Sequence, residues 1–226
     1  MTSKQGNNKN LFFYYLARMF YVVYFPISVM IPYLAYRGLR EIKQSASLQG
    51  LILFMALYGG FAMSLKSIFG SFEQVFAVDL ETVGLLVAIG MLARGLGKQY
   101  AKRVEGGSRN QSTMALLYGF FVGLSALAYT QNLAELAICS LAIGAFIYGV
   151  INVNTIVSIN EEIQNETRAS ILSFESMMRR LASALVLFSY GFMLDVSNFG
   201  LIMAIFATIL IFGYLIYTKL NSKFIE

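Results

Sequence analysis

The chain has 226 residues, of which 58% are hydrophobic and only 13% are charged, and its net charge at pH 7 is +5. A soluble domain has roughly a quarter of its residues charged, and a soluble chain of this length could not bury so much apolar surface, so soluble and disordered classes are excluded. The single cysteine excludes a disulfide framework, and the absence of histidine excludes histidine-based metal sites, triads and proton relays.

Long apolar runs predict an all-α bundle of about seven transmembrane helices. A transmembrane helix needs about 20 mostly apolar residues, whereas transmembrane strands would give alternating segments of about ten residues. We divide the chain into residues 1–48, with the N-terminal tail, a first segment and a basic connection, and residues 49–226, a six-helix transmembrane bundle. The seven predicted spans are 11–36, 51–72, 82–97, 113–131, 135–158, 169–191 and 199–218.

The first span has three unusual features. No small-residue cleavage motif follows it, so we expect a mature helix rather than a signal peptide. It contains both prolines of the chain, Pro26 and Pro32, which predict a kink. Arg18 shares a helical face with Tyr14 and Tyr21. In one interpretation, these two tyrosines surround the Arg18 charge and help to bind an anionic or aromatic ligand. In the other, they anchor the helix at the membrane interface.

Basic residues in the connections predict the orientation. Four Lys or Arg residues lie in 98–109 and three in 37–43, which places both connections on the cytoplasmic side, whereas 73–81 contains acidic residues and no basic one. Lysines in 219–223 place the C-terminus in the cytoplasm. We therefore expect a multi-pass protein of the plasma (inner) membrane. An odd number of spans puts the N-terminus outside, where two N-terminal lysines conflict with the same rule.

Lys66 of the second span and Glu73, directly after that span, are candidates for a substrate or coupling-ion path. Lys66 lies in the middle of the span, and Glu73 follows seven residues later on the same helical face. Gly59 and Gly70 share that face, so a neighbouring helix or a ligand could approach closely. The alternatives are an inter-helix ion pair and a lysine that reaches the membrane surface.

Polar residues in the fifth and sixth spans add further candidates. Glu175 and Arg179 have the i,i+4 spacing of an ion pair, which would act as a gate or as a purely structural contact. Asn152 and Asn154 lie on different faces of the fifth span, so one could line the path while the other bonds a neighbouring helix. Structural hydrogen bonding is the alternative for either asparagine.

The connection between the fifth and sixth spans carries a family resemblance. An asparagine-containing helix end and an acidic turn precede an Arg-Ala-Ser-x-x-Ser helix start, and a Gly…Asp exit follows within 152–195. The helix start consists of Arg168, Ala169, Ser170 and Ser173. This pattern resembles the tenth and eleventh helices of a major facilitator superfamily transporter.

The resemblance extends in consecutive order over residues 51–220, as a C-terminal six-helix half, and residues 11–40 resemble the first helix of the same superfamily. The helices that should follow that first helix are absent, and so is the basic loop between the second and third helices. The resemblance implies a substrate path between two six-helix halves. We therefore expect a homo- or hetero-oligomer that supplies a second half within the lipid bilayer.

The expected function is secondary transport of a small, amphipathic or aromatic solute by a half-size transporter. The alternatives are a non-transporting accessory or scaffold subunit, and an internally deleted transporter whose joint lies near residues 37–49. The chain has no Walker motif, no metal-ligand cluster and no nucleophile with an adjacent base. We therefore expect no enzymatic activity, no cofactor and no metal. The basic residues match membrane orientation and anionic lipid contact, and we expect no nucleic-acid partner.

Overall fold

The computed structural model describes residues 36–69, 79–103, 108–131, 133–196 and 198–222, and every regular element within them is helical. The prediction of an all-α bundle is confirmed for these residues, whereas nearly all of the predicted first span lies outside them. The helices are α1 (Tyr36–Gln44), α2 (Ala46–Phe69), α3 (Leu80–Ala101), α4 (Ser108–Thr130), α5 (Ala134–Glu162), α6 (Arg168–Val196) and α7 (Phe199–Ser222).

Polar side chains determine where several of these helices begin. The side-chain oxygens of Ser45, Asp79 and Asn198 accept the backbone N–H three residues further on, at 3.1, 3.2 and 2.9 Å. Each bond satisfies a donor that the first turn of a helix leaves free. The hydroxyl and the backbone N–H of Thr82 both donate to Asp79 and hold the pKa of its carboxyl below the ordinary value.

Four helices of the described part are long and apolar enough to cross a membrane. They are Ala46–Leu65 within α2, Gln111–Thr130 within α4, Ala134–Glu162, which is all of α5, and Phe199–Thr218 within α7. This composition is compatible with a membrane protein. Helices α3 and α6 correspond to two further predicted spans but are not among these four, and both contain charged residues.

Helices α2 and α5 form the centre of the bundle. Helix α2 packs along α6, and α5 packs along α3, while α4 contacts both α5 and α7. The apolar parts of α2 and α5 are mostly buried, whereas those of α4 and α7 leave more of their surface exposed. Helix α1 lies against the ends of α2 and α6.

Small residues allow the backbones of the paired helices to approach closely. A Cβ atom at Gly97 of α3 would lie 2.0 Å from the carbonyl oxygen of Phe146 and 3.2 Å from the Cα of Gly149 in α5. At the α2–α6 crossing, a Cβ atom at Gly60 would lie 2.6 Å from the Cβ of Ala182. These contacts are of the small-residue type that membrane helices use to associate without a hydrophobic driving force between them.

Buried tyrosines connect the peripheral helices to the centre. The rings of Tyr58 and Tyr118 have centroids 5.9 Å apart, and those of Tyr118 and Tyr148 are 6.0 Å apart. The Tyr58 hydroxyl donates to the carbonyl oxygen of Leu210 in α7 at 2.7 Å. Aromatic contacts at such distances add to the burial of apolar area, and this series of rings ends at the polar cluster described next.

Candidate functional site

A polar cluster lies inside the bundle, between α2, α3, α5 and α6. It comprises Arg94 of α3, Tyr148 at the midpoint of α5, and Glu175 and Arg179 of α6, with Gly59 of α2 between them. Charged side chains at such positions are costly in a membrane unless they are paired inside the protein.

Glu175 and Arg179 form an ion pair within α6. The Nη2 atom of Arg179 lies 3.2 Å from the Oε2 atom of Glu175, and the two side chains are 17% and 4% exposed. The pairing expected from the i,i+4 spacing is therefore present, whereas a gating role stays a prediction. The second carboxylate oxygen, Oε1, is buried and has no hydrogen-bond partner in the described part of the chain.

Arg94 is held by an aromatic ring rather than by a carboxylate. Its guanidinium carbon lies 4.6 Å from the centroid of the Tyr148 ring, a cation–π distance. The Tyr148 hydroxyl in turn accepts a hydrogen bond of 3.2 Å from the side-chain amide of Asn152. The Nε atom of Arg94 is buried and has no hydrogen-bond partner among the described residues. The ring therefore orients the cation but leaves a buried donor unsatisfied.

Gly59 makes room for the cluster on the α2 side. A Cβ atom at this position would lie 2.5 Å from Cδ of Arg179 and 3.1 Å from the hydroxyl of Tyr148. The contact brings side chains of α5 and α6 to the same point on α2. Gly59 was expected to allow close approach, and the structure identifies the groups that approach it.

The cluster carries more positive than negative charge. Lys98 lies in the last turn of α3, beyond the predicted apolar span, and burial followed by the like charges of Arg94 and Arg179 lowers the pKa of its ammonium group. Glu175 is the carboxylate paired with Arg179. Among the described residues, Arg94 and Arg179 thus act on the exposed Lys98, while Glu175 is already bonded to Arg179, and an anion entering this region would be attracted.

A cavity of about 240 Å³ opens beside the cluster, between α2, α3 and α5. Most of its lining is apolar, with Leu65, Val87 and Ala145 as examples from the three helices. Arg94 is the charged residue that lines it, and Tyr148 closes one side. Apolar walls with a few convergent polar groups are the usual composition of a small-molecule site.

The other predicted path residues are only partly described. Asn152 and Asn154 are both buried, and the side-chain nitrogen of Asn154 has no hydrogen-bond partner within the described ranges. Lys66 belongs to α2, but its side chain lies outside what the structure describes. Arg18 and Glu73 lie outside the described residues. Their roles stay predictions.

The residues that carry the family resemblance form the first turns of α6. Arg168 is exposed and donates to the carbonyl oxygen of Asn160 at 3.5 Å. Ala169 is exposed, and Ser170 and Ser173 are partly buried. The Cβ atom of Ser170 packs against Gly38 of α1, where an added Cβ atom would lie 3.0 Å away.

Glu41 fastens α1 to this end of the bundle. Its carboxylate accepts the backbone N–H of Gln164 at 3.1 Å and the hydroxyl of Thr167. Both partners lie in the turn between α5 and α6. The basic connection that the sequence placed on the cytoplasmic side is therefore a short helix docked on that turn.

The sequence pattern did not single out Arg94 and Tyr148 as partners. Arg94 is a basic residue near the end of the third predicted span, and such a residue by itself does not identify its partner. Tyr148 gave no signal, because a tyrosine within an apolar helix looks like any core residue. The two residues belong to different helices, so no spacing rule could pair them.

The described residues contain no group of three or more His, Cys, Asp or Glu side chains that could hold a metal ion. Cys139 is an exposed free thiol on α5. Comparison of the chain with protein-family models, with curated proteins and with solved structures gives no match. Conclusions about family and function therefore depend on the residues and on the geometry of this cluster.

Proposed function

We propose that the chain is one six-helix half of a secondary transporter of the major facilitator type and that it moves a small amphipathic solute. The observation that carries the proposal is the group of charged side chains, Arg94 with Glu175 and Arg179, within the helices and beside a cavity. Intramembrane ionisable residues are rare and usually mark substrate or ion pathways. Transporter binding sites lie near the membrane midplane.

The helix arrangement supports this proposal. The helices fall into two groups of three, α2–α4 and α5–α7, whose members correspond in order: α2 to α5, α3 to α6 and α4 to α7. If each helix is replaced by its counterpart, the α2–α6 contact becomes the α3–α5 contact, and both contacts are present. The α2–α5 and α4–α7 contacts are converted into themselves. Three spans per group reverse the direction of the second group, and such inverted three-helix repeats build each half of a major facilitator transporter.

In this proposal α2–α7 all cross the membrane, with α1 and the C-terminus on the cytoplasmic side of the plasma membrane. Helices α3 and α6 cross although they carry charges, because Arg94 stacks on Tyr148 and Glu175 bonds Arg179 inside the protein. The basic residues of 37–43 and 98–103 then lie on the cytoplasmic side, as the positive-inside rule requires.

A second half completes the path. Helix α3 packs mainly against α5 and exposes large apolar residues, with Leu92 68% exposed. One bundle supplies one wall of the path, and a second bundle supplies the facing wall. We propose that the second bundle comes from another copy or from a different chain.

Reconstitution into proteoliposomes tests the proposal. Uptake of radiolabelled amphipathic acids, amines and neutral analogues above that of protein-free liposomes would report flux, while mass measurement in native nanodiscs gives the oligomeric state. We expect flux from a dimer or larger assembly. Flux from a purified monomer would refute the need for a second half. An intact oligomer that moves none of the solutes would favour the accessory-subunit alternative.

A further inference from the structure

We infer that the cavity beside Arg94 binds a small amphipathic monoanion, with the anionic group at the Arg94 guanidinium and the apolar part between α2 and α3. That the transported solute is such an anion depends on the proposed function. That the cavity binds such an anion depends only on the described geometry.

The charge balance favours an anion. Glu175 already bonds Arg179, whereas the Nε–H of Arg94 has no acceptor among the described residues although it is buried. A charged group without a carboxylate partner is costly inside a helix bundle, and a ligand carboxylate beside the Arg94 guanidinium, which lines the cavity, would offset its charge. Lys98 adds further positive charge to the region, which attracts anions and repels cations.

The orientation of Arg94 favours a planar acceptor. The guanidinium carbon of Arg94 lies over the Tyr148 ring, 4.6 Å from its centroid, and Asn152 donates to the hydroxyl of that tyrosine. A cation–π contact provides no hydrogen-bond acceptor, so it leaves the N–H donors of the guanidinium available to a ligand. A fixed planar fork matches the two oxygens of a carboxylate, which an ammonium group at the same position would not.

The size and lining of the cavity limit the size and polarity of the ligand beyond its anionic group. Its volume of about 240 Å³ is below the roughly 300–1,000 Å³ typical of sites for drug-sized molecules. Leu65, Val87 and Met91 present apolar surface, and Arg94 is the charged member of the lining. The ligand is therefore a monoanion with one ring or one short chain, rather than a dianion or a polar sugar.

Equilibrium binding to the full chain in detergent provides the test. The probes are benzoate, benzyl alcohol and benzylammonium, which share a ring and differ in charge. We expect benzoate to bind at least about tenfold more tightly than either of the others, the effect of one charge-assisted hydrogen bond. Equal affinities for benzoate and benzylammonium would overturn the inference.

Variants identify the position of the site. Arg94→Gln should weaken benzoate binding about tenfold or more, whereas Arg180→Gln, the same change at an exposed arginine of α6, should leave it unchanged. Val87→Phe keeps the charge, fills the cavity and should also weaken binding. Wild-type affinity in Arg94→Gln overturns the inference. If this variant does not fold, Arg94→Lys and the affinities of the wild type for the three probes provide the test instead.

Two further comparisons identify the source of the anion and test the binding site independently of transport. Repeating the titration in nanodiscs of neutral and of anionic phospholipid distinguishes a free acid from a lipid headgroup, since competition by anionic lipid identifies the headgroup as the source. Benzoate binding without flux in proteoliposomes supports the site and contradicts transport. Flux without preference for benzoate supports transport and overturns the site.

Discussion

The close approach of α3 and α5 predicts that Gly97→Ala destabilises the protein. A Cβ atom at Gly97 would lie 2.0 Å from the Phe146 carbonyl oxygen, whereas an ordinary contact begins at 3.4 Å, so the helices must separate locally by about 1.4 Å. The Phe146 carbonyl oxygen cannot rotate away as a side chain could, because it and the other atoms nearest the new methyl group belong to the α5 backbone.

The magnitude follows from two destabilising effects and one opposing effect. Overpacking of this kind costs about 1–3 kcal/mol, and a gap of 0.5–1 Å removes roughly a quarter to a half of the dispersion energy of the contacts it opens. Alanine is favoured over glycine in a helix by about 1 kcal/mol. Because the overlap at Gly97 is large, we take the upper end of the overpacking cost, and subtracting the gain in helix propensity leaves an expected net loss of about 2 kcal/mol in the free energy of unfolding.

Gly95 of the same helix is the matched control. A Cβ atom there meets nothing within 4 Å, so Gly95→Ala should change stability by at most about 1 kcal/mol, through helix propensity. Both variants would be unfolded in mixed micelles by increasing the fraction of SDS, with helicity followed by far-UV circular dichroism. If Gly97→Ala unfolds at the same SDS fraction as Gly95→Ala, the described backbone contact between α3 and α5 is wrong.

Three further predictions concern the bonds between and within helices. Glu175→Gln should lower the free energy of unfolding by about 3–5 kcal/mol, because it leaves the charge of Arg179 buried without its partner, and the double variant with Arg179→Gln should recover part of this loss. The hydroxyls of Ser64 and Ser183 are hydrogen-bonded at 2.9 Å across the α2–α6 crossing, so each Ser→Ala change should cost about 1 kcal/mol and the two changes should not add. Glu41→Ala removes the acceptor that fastens α1, so trypsin should cleave the α1 segment faster than in the wild type.

The same SDS titration serves the first two of these predictions. A double variant no more stable than Glu175→Gln would show that the ion pair is not the cause of the loss, and additive serine variants would contradict a shared hydrogen bond. For α1, Gln44→Ala alters an exposed side chain of the same helix and serves as the control. Equal cleavage rates in Glu41→Ala and Gln44→Ala would contradict the docking of α1.

The sequence predicted the helical elements well because their signals are local. Six predicted runs from residue 51 onward correspond to α2–α7, since apolar runs of about 20 residues have no good alternative to a helix. Boundaries were less accurate, as α2 begins at Ala46 rather than at residue 51. Residues 46–50, in which Ser47, Gln49 and Gly50 interrupt the apolar pattern, continue the helix from the cap at Ser45.

The Glu175–Arg179 pair was also predictable, because both residues lie on one helix and their spacing alone brings them together. The docking of α1 through Glu41 was not, since its partners in the α5–α6 turn are more than 120 residues away in the chain. The sequence placed the basic residues of this segment in a connection but could not show what the segment contacts.

Composition and periodicity by themselves determined that this is an apolar, helical chain with charged residues inside several of its helices. Only the tertiary structure decided which of those residues meet. Arg94 and Tyr148 lie on separate helices, and they face each other because Gly97 and Gly149 let the two backbones cross so closely. A cavity and an unsatisfied donor are properties of that crossing, and no single helix contains the information that specifies them.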